Sequence, residues 1–142
     1  MEVTVVITPN FKREAKKLTK KYRSLKGELE VLINEIKKKP TIGIKIVENT
    51  FKIRLAVKSK GKGKSGGLRV ITYLFLKIED KITTVYLLSI YDKSDTENIS
   101  EKLLKQLTHG VQQTIAEENA FDLLQNNALE QSEEHSEDDE VK

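Results

Sequence analysis

The chain of 142 residues has no cysteine, no tryptophan, two prolines and two histidines. Without cysteine it can form neither a disulfide nor a thiolate metal site, and it is compatible with a reducing compartment. Long hydrophobic runs are missing as well. The opening MEVTVVITPNFKRE holds only a few apolar residues before Pro9 and then turns to charge. That is neither a signal peptide nor a membrane span, so a soluble, cytoplasmic protein is expected. His109 and His135 have no third ligand near them in sequence, and no metal or cofactor is expected. Carboxylates are absent from Phe51 through Ile78.

What is present is a strongly divided charge. Residues 117–142 carry ten acids against Lys142, a net −9 of the chain's overall +3, which leaves +12 on residues 1–116. A body that basic attracts polyanions. Two parts are therefore expected: a folded domain over 1–116 and an acidic, solvated or disordered tail over 117–142.

Hydrophobic spacing divides the first part into elements. Residues 1–7 read as a strand, and Thr8-Pro9 as a cap followed by proline at the first helical position. Phe11, Ala15, Leu18 and Tyr22 mark one face of a first helix. Leu25, Leu29, Leu32, Ile33 and Ile36 mark a second, which Pro40 stops. Glu28, Glu30 and Glu35 fall on its solvent side. From Phe51 to Lys58 apolar and basic residues alternate, as in a half-buried strand. Leu68–Leu76 and Ile82–Ile90 read as two more strands joined at Glu79-Asp80-Lys81. Ser94 with Glu97 offers a capping box for a last helix carrying Leu103, Leu107, Val111 and Ile115. The order β-α-α-β-β-β-α predicts an α+β domain with a mostly antiparallel sheet.

The stretch GKGKSGGLR, residues 61–69, contains G-x-G-x-x-G and an apparent Walker ending. Both motifs need a helix after the glycines, whereas LRVITYLFL is β-branched and aromatic. A nucleotide loop is excluded. The segment is instead a hairpin connection bearing Lys58, Lys60, Lys62 and Lys64 among small residues, flanked by Arg54 and Arg69. Ammonium groups and backbone N–H donors both approach a phosphate chain in such a loop. Tyr73 and Phe75 share the face of Arg69 by strand alternation and are placed to stack on a base.

The TPNFKREAKKLTKKY helix, the stretch FKIRLAVKSKGKGKSGGLRVITY and the later LLSIYDKSDTENIS resemble the RelE/HigB-like toxins of bacterial toxin–antitoxin pairs, from about Val5 to about Leu107. The resemblance implies a RelE-like α+β fold and an endoribonuclease that cuts messenger RNA in the ribosomal A site without metal. Attack of a ribose 2′-OH on phosphorus needs a base, cations for the extra negative charge and an acid for the leaving oxygen. By that resemblance Arg69 stabilises the phosphate, Lys60 or Lys62 serves as base, and Lys93 stabilises or donates. Ile99 stands where one branch has a tyrosine, and Tyr91 is the nearby substitute. Arg54, Lys58, Lys64 and Tyr73 complete the RNA-binding set, and an antitoxin protein is the implied partner. Two other functions fit the same scaffold: a non-catalytic ParE-like toxin acting on DNA gyrase, and a degraded toxin that only binds RNA or antitoxin.

Overall fold

The computed structural model describes residues 2–60 and 66–141, with side chains through residue 128. Contacts divide the chain into two compact units, residues 1–104 and 105–142. The first is α+β. Strand β1 (Glu2–Ile7) leads to helices α1 (Pro9–Lys21) and α2 (Leu25–Lys38). Strands β2 (Ile44–Val47), β3 (Thr50–Leu55), β4 (Leu68–Lys77) and β5 (Ile82–Asp92) follow, and α3 (Glu101–Val141) begins at its end. The five strands form one sheet in the order β1-β5-β4-β3-β2. β1 runs parallel to β5 and every other pairing is antiparallel.

Both expected helical stripes face the core. Phe11, Tyr22, Leu25, Leu32 and Ile36 are buried against Ile53, Val57, Leu68, Val70, Val85, Leu87 and Ile90, with Ala15, Leu18, Leu29 and Ile33 packed at the margin. Thr8 caps α1, its Oγ1 accepting the Phe11 N–H at 3.3 Å. The same hydroxyl donates to Leu87 O at 2.7 Å, and Asn10 Nδ2 donates to Leu88 O at 2.9 Å. Glu14 then accepts from Ser89 Oγ and from the Ile90 N–H. The start of α1 thus supplies partners to β5 just where β1 ends, which leaves fewer backbone groups bare at that edge.

Two expectations are corrected. First, β2 was not foreseen. It pairs with β3 through a turn at Glu48-Asn49, where Asn49 takes φ 61°, a conformation asparagine tolerates better than most residues. Gly43, just before β2, has φ +102°, and a Cβ there would lie 2.5 Å from Lys52 O. Second, Ser94 does not cap a helix. α3 starts at Glu101, with Ser100 Oγ accepting the Leu103 N–H at 3.2 Å. α3 runs on through the acidic segment to Val141.

Candidate functional site

Strand register builds the site. Arg69 on β4 lies opposite Arg54 on β3 and opposite Tyr91 on β5, so the three form one row across the sheet. The next rows toward the other end contain Lys52, Ile71 and Ser89, then Thr50, Tyr73 and Tyr86. Leu68 and Val70 belong to the core under α1 and α2, so alternation places Arg69 on the opposite face of the sheet. The two arginines thus stand directly opposite each other across the ladder. Arg54 is exposed, whereas Arg69 is only 3% exposed. One of its guanidinium nitrogens donates to Leu68 O at 3.2 Å.

Two observations place the segment after β5 beside this row. Lys52 Nζ donates to Asn98 Oδ1 at 3.3 Å. The backbone of Ile99 is close enough to Tyr91 to favour the ionised phenol, as does the Arg69 charge, but burial outweighs both and pushes the phenol up. The Tyr91 hydroxyl is buried with no partner in hydrogen-bonding geometry. A phenol in that state keeps its proton at neutral pH and has it free to give.

One residue beyond Tyr91 the side chain emerges on the helix face. Asp92, opposite Leu68, is buried there and forms an ion pair with the buried Lys60 ammonium. Tyr22, at the end of α1, donates its hydroxyl to Asp92 Oδ2 at 2.5 Å. The Ser94 N–H reaches Asp92 Oδ1 at 2.9 Å, and Lys60 Nζ also reaches Ser94 Oγ at 2.8 Å. Burial alone would raise the Asp92 carboxyl. The bonds from Lys60, Tyr22 and Ser94 outweigh it and hold the group well below the usual carboxylate range.

The structure therefore separates residues that sequence reasoning had grouped. Arg54, Arg69, Tyr73 and Tyr91 share one face, while Lys60 is engaged on the other. Lys58 is exposed, and its backbone N–H is held by Glu28 Oε1 at 2.8 Å, so Glu28 is more than a solvent-side residue. Lys93 is exposed directly after β5, its N–H 3.4 Å from Gly67 O. Lys62 and Lys64 lie outside the described residues. Asp92, Tyr22 and Ser94 were missed, because nothing in their spacing signals that they meet across the fold. Among the described residues, no group of three His, Cys, Asp or Glu side chains is arranged to hold a metal ion, and no helix is long and apolar enough to cross a membrane.

No protein-family model matches the chain. A solved structure is similar in fold. It is the Escherichia coli toxin RelE, a doubly substituted variant in the free state, with a TM-score of 0.45 and 18% sequence identity. The match covers 68% of this chain and 90% of that one. At this level the likeness carries no argument about activity, substrate or partner.

Proposed function

We propose that the chain is the toxin of a type II toxin–antitoxin pair and acts as an endoribonuclease on messenger RNA at the translating ribosome. The observation that carries this reading is the Arg54–Arg69–Tyr91 row, two cations and a protonated phenol aligned on one sheet face beside a carboxylate-free basic loop. In the reaction, the ribose 2′ oxygen attacks the adjacent phosphorus and gives its proton to a base. The bond from phosphorus to the 5′ oxygen breaks, leaving a 2′,3′-cyclic phosphate and a 5′-OH. Arg69 and Arg54 stabilise the doubly negative phosphorane, and Lys93 adds a third cation at the end of the sheet. Tyr91 protonates the leaving 5′ oxygen. Lys60 is held by Asp92 on the other face, and of the two candidate bases, Lys60 and Lys62, Lys62 is the one we assign. Lys58 and Lys64 hold the flanking RNA, whereas Tyr73, only 7% exposed, is packed into the fold rather than open to stack on a base. Arg69 is only 3% exposed, so RNA reaches it only when what covers it moves aside.

The same burial of Arg69 favours a second reading, in which the chain is a non-catalytic relative that binds gyrase, RNA or an antitoxin without cutting. One experiment separates the two. Messenger RNA ends are mapped in a translating extract with the wild-type chain, with Arg69→Ala, and with no addition. Cuts inside translated codons that disappear with a folded Arg69→Ala variant are expected. Cutting that persists in that variant removes the catalytic assignment, and growth arrest without cuts supports the binding reading.

A further inference from the structure

The row next to Arg54, Arg69 and Tyr91, at the end of the sheet, is Leu55, Leu68 and Asp92. Asp92 is 3% exposed and stands in sequence between Tyr91 and Lys93, two residues of the proposed reaction. Its carboxylate takes the Lys60 ammonium and the Ser94 N–H on Oδ1, and the Tyr22 hydroxyl on Oδ2. Its backbone carbonyl accepts the N–H groups of Asp95 and Thr96, both at 3.0 Å. The chain just beyond Tyr91 is therefore held at one residue through both side chain and backbone.

The partners come from separate parts of the fold. Tyr22, 8% exposed, ends α1. Lys60 lies beyond the end of β3, its N–H bonded to Val57 O at 3.0 Å and its ammonium 5.8 Å from the centre of the Tyr22 ring. Asp92 thus ties the end of α1 and the segment after β3 to the exit of β5. Apolar side chains of similar volume would hold these elements together about as well as a buried ion pair does. What they would not supply is direction, which three bonds on one carboxylate do. Tyr91 needs that direction, because its own hydroxyl has no hydrogen-bond partner to aim it. Successive side chains of a strand leave on opposite faces, so a backbone fixed at Asp92 also fixes the side from which Tyr91 projects.

We propose that Asp92, anchored by Tyr22 and Lys60, is a positioning residue for RNA cleavage: from the helix face of the sheet it aims the Tyr91 phenol at the leaving 5′ oxygen. This rests on the function proposed above. Asp92 itself touches no RNA, and its effect passes through Tyr91.

Two variants test it. Tyr22→Phe removes one hydroxyl from a packed ring, and Asp92→Asn keeps the shape of the side chain. Each is expected to slow single-turnover cleavage of ribosome-bound messenger RNA about tenfold, part of the 10²–10⁴-fold that a general acid supplies, with the half-saturating concentration unchanged. Ile36→Val, a core truncation on α2, is expected to leave the rate unchanged under conditions where all variants are folded. A substrate with sulfur in place of the leaving 5′ oxygen departs as a thiolate and needs far less help from an acid. On that substrate both variants are expected to match the wild-type chain. A loss that persists with sulfur overturns the proposal, because the whole site is then disturbed, and so does an undiminished rate on ordinary RNA. A second readout needs no cleavage. With isotope-labelled tyrosine, the Tyr91 ring signal in the nuclear magnetic resonance spectrum is identified by its loss in Tyr91→Phe. It is expected to shift in both variants. A wild-type chain that cuts no RNA removes the proposed function, whereas a Tyr91 signal unmoved in both variants removes the positioning role.

Discussion

Arg69 and Lys60 are both basic residues of one hairpin region, yet their surroundings assign them different work. Arg69 lies in a row with Arg54 and Tyr91, and its replacement by Ala is expected to lower the RNA cleavage rate by about 10²–10³-fold, the usual loss when one transition-state donor is removed. Single-turnover rates on ribosome-bound messenger RNA check this, with the fold verified separately. Lys60 is half of a buried ion pair. Lys60→Met leaves the buried Asp92 carboxylate without its counter-charge, held only by Tyr22 and the Ser94 N–H, and is expected to cost about 3 kcal/mol in urea unfolding. The double variant Lys60→Met with Asp92→Leu is expected to recover much of that loss. The Asp92 carboxyl titrates lower in the folded chain than in the unfolded one. Its contribution is therefore complete above the unfolded value of about 3.9 and is lost as pH falls below it. The stability gap between wild type and Asp92→Asn is expected to shrink from about pH 5 towards about pH 2. Unfolding midpoints across that range decide the point, and a constant gap would show that the carboxylate is not what holds the network.

Among the elements, α1 and β2 depend on features that composition does not reveal. Thr8 does two things: it caps α1 and bonds to Leu87 O on β5. Thr8→Ala is expected to cost about 1 kcal/mol, mainly the lost cap, because Leu87 O still accepts the Thr8 backbone N–H at 3.2 Å. Gly43 meets the Lys52 carbonyl too closely for any side chain and has a positive φ. Gly43→Ala is expected to cost more than the roughly 1–2 kcal/mol of left-handed strain alone, because the β3 backbone must also shift. Chemical denaturation measures both effects. The helical stripes and the strand alternation were legible in the sequence because each is a local period imposed by backbone geometry. β2 was not legible, since Ile44–Val47 is short and mostly exposed and lacks a buried face to create an alternation. The only signal was Asn49, whose turn conformation pairs β2 with β3.

At the scale of the whole molecule, the division of charge governs association. Under the proposed function, the +12 segment over residues 1–116 is expected to make RNA binding strongly dependent on salt, with a slope of about −0.7 per phosphate contact on single strands. Arg54→Ala is expected to reduce that slope by about 0.7, whereas Lys60→Met leaves it nearly unchanged because Lys60 is already neutralised by Asp92. Binding titrations at several salt concentrations distinguish the two. The acidic segment lies within a continuous helix to Val141.

The sequence by itself determined the charge division, the two helical stripes, the alternating strands and the exclusion of a nucleotide loop. Each of these follows from local periodicity or from residue types alone. Tertiary structure decided which cations meet. The face on which Arg69 and Tyr73 lie was readable from alternation within β4, but the parity between Lys60 and Arg69 was hidden by the connection between them. Register joined Arg54, Arg69 and Tyr91 in one row and placed Asp92 on the other face. Packing of α1 then brought Tyr22 to Asp92 across 70 positions of sequence. Such meetings depend on how strands pair and where a helix ends against the sheet, which no local period encodes.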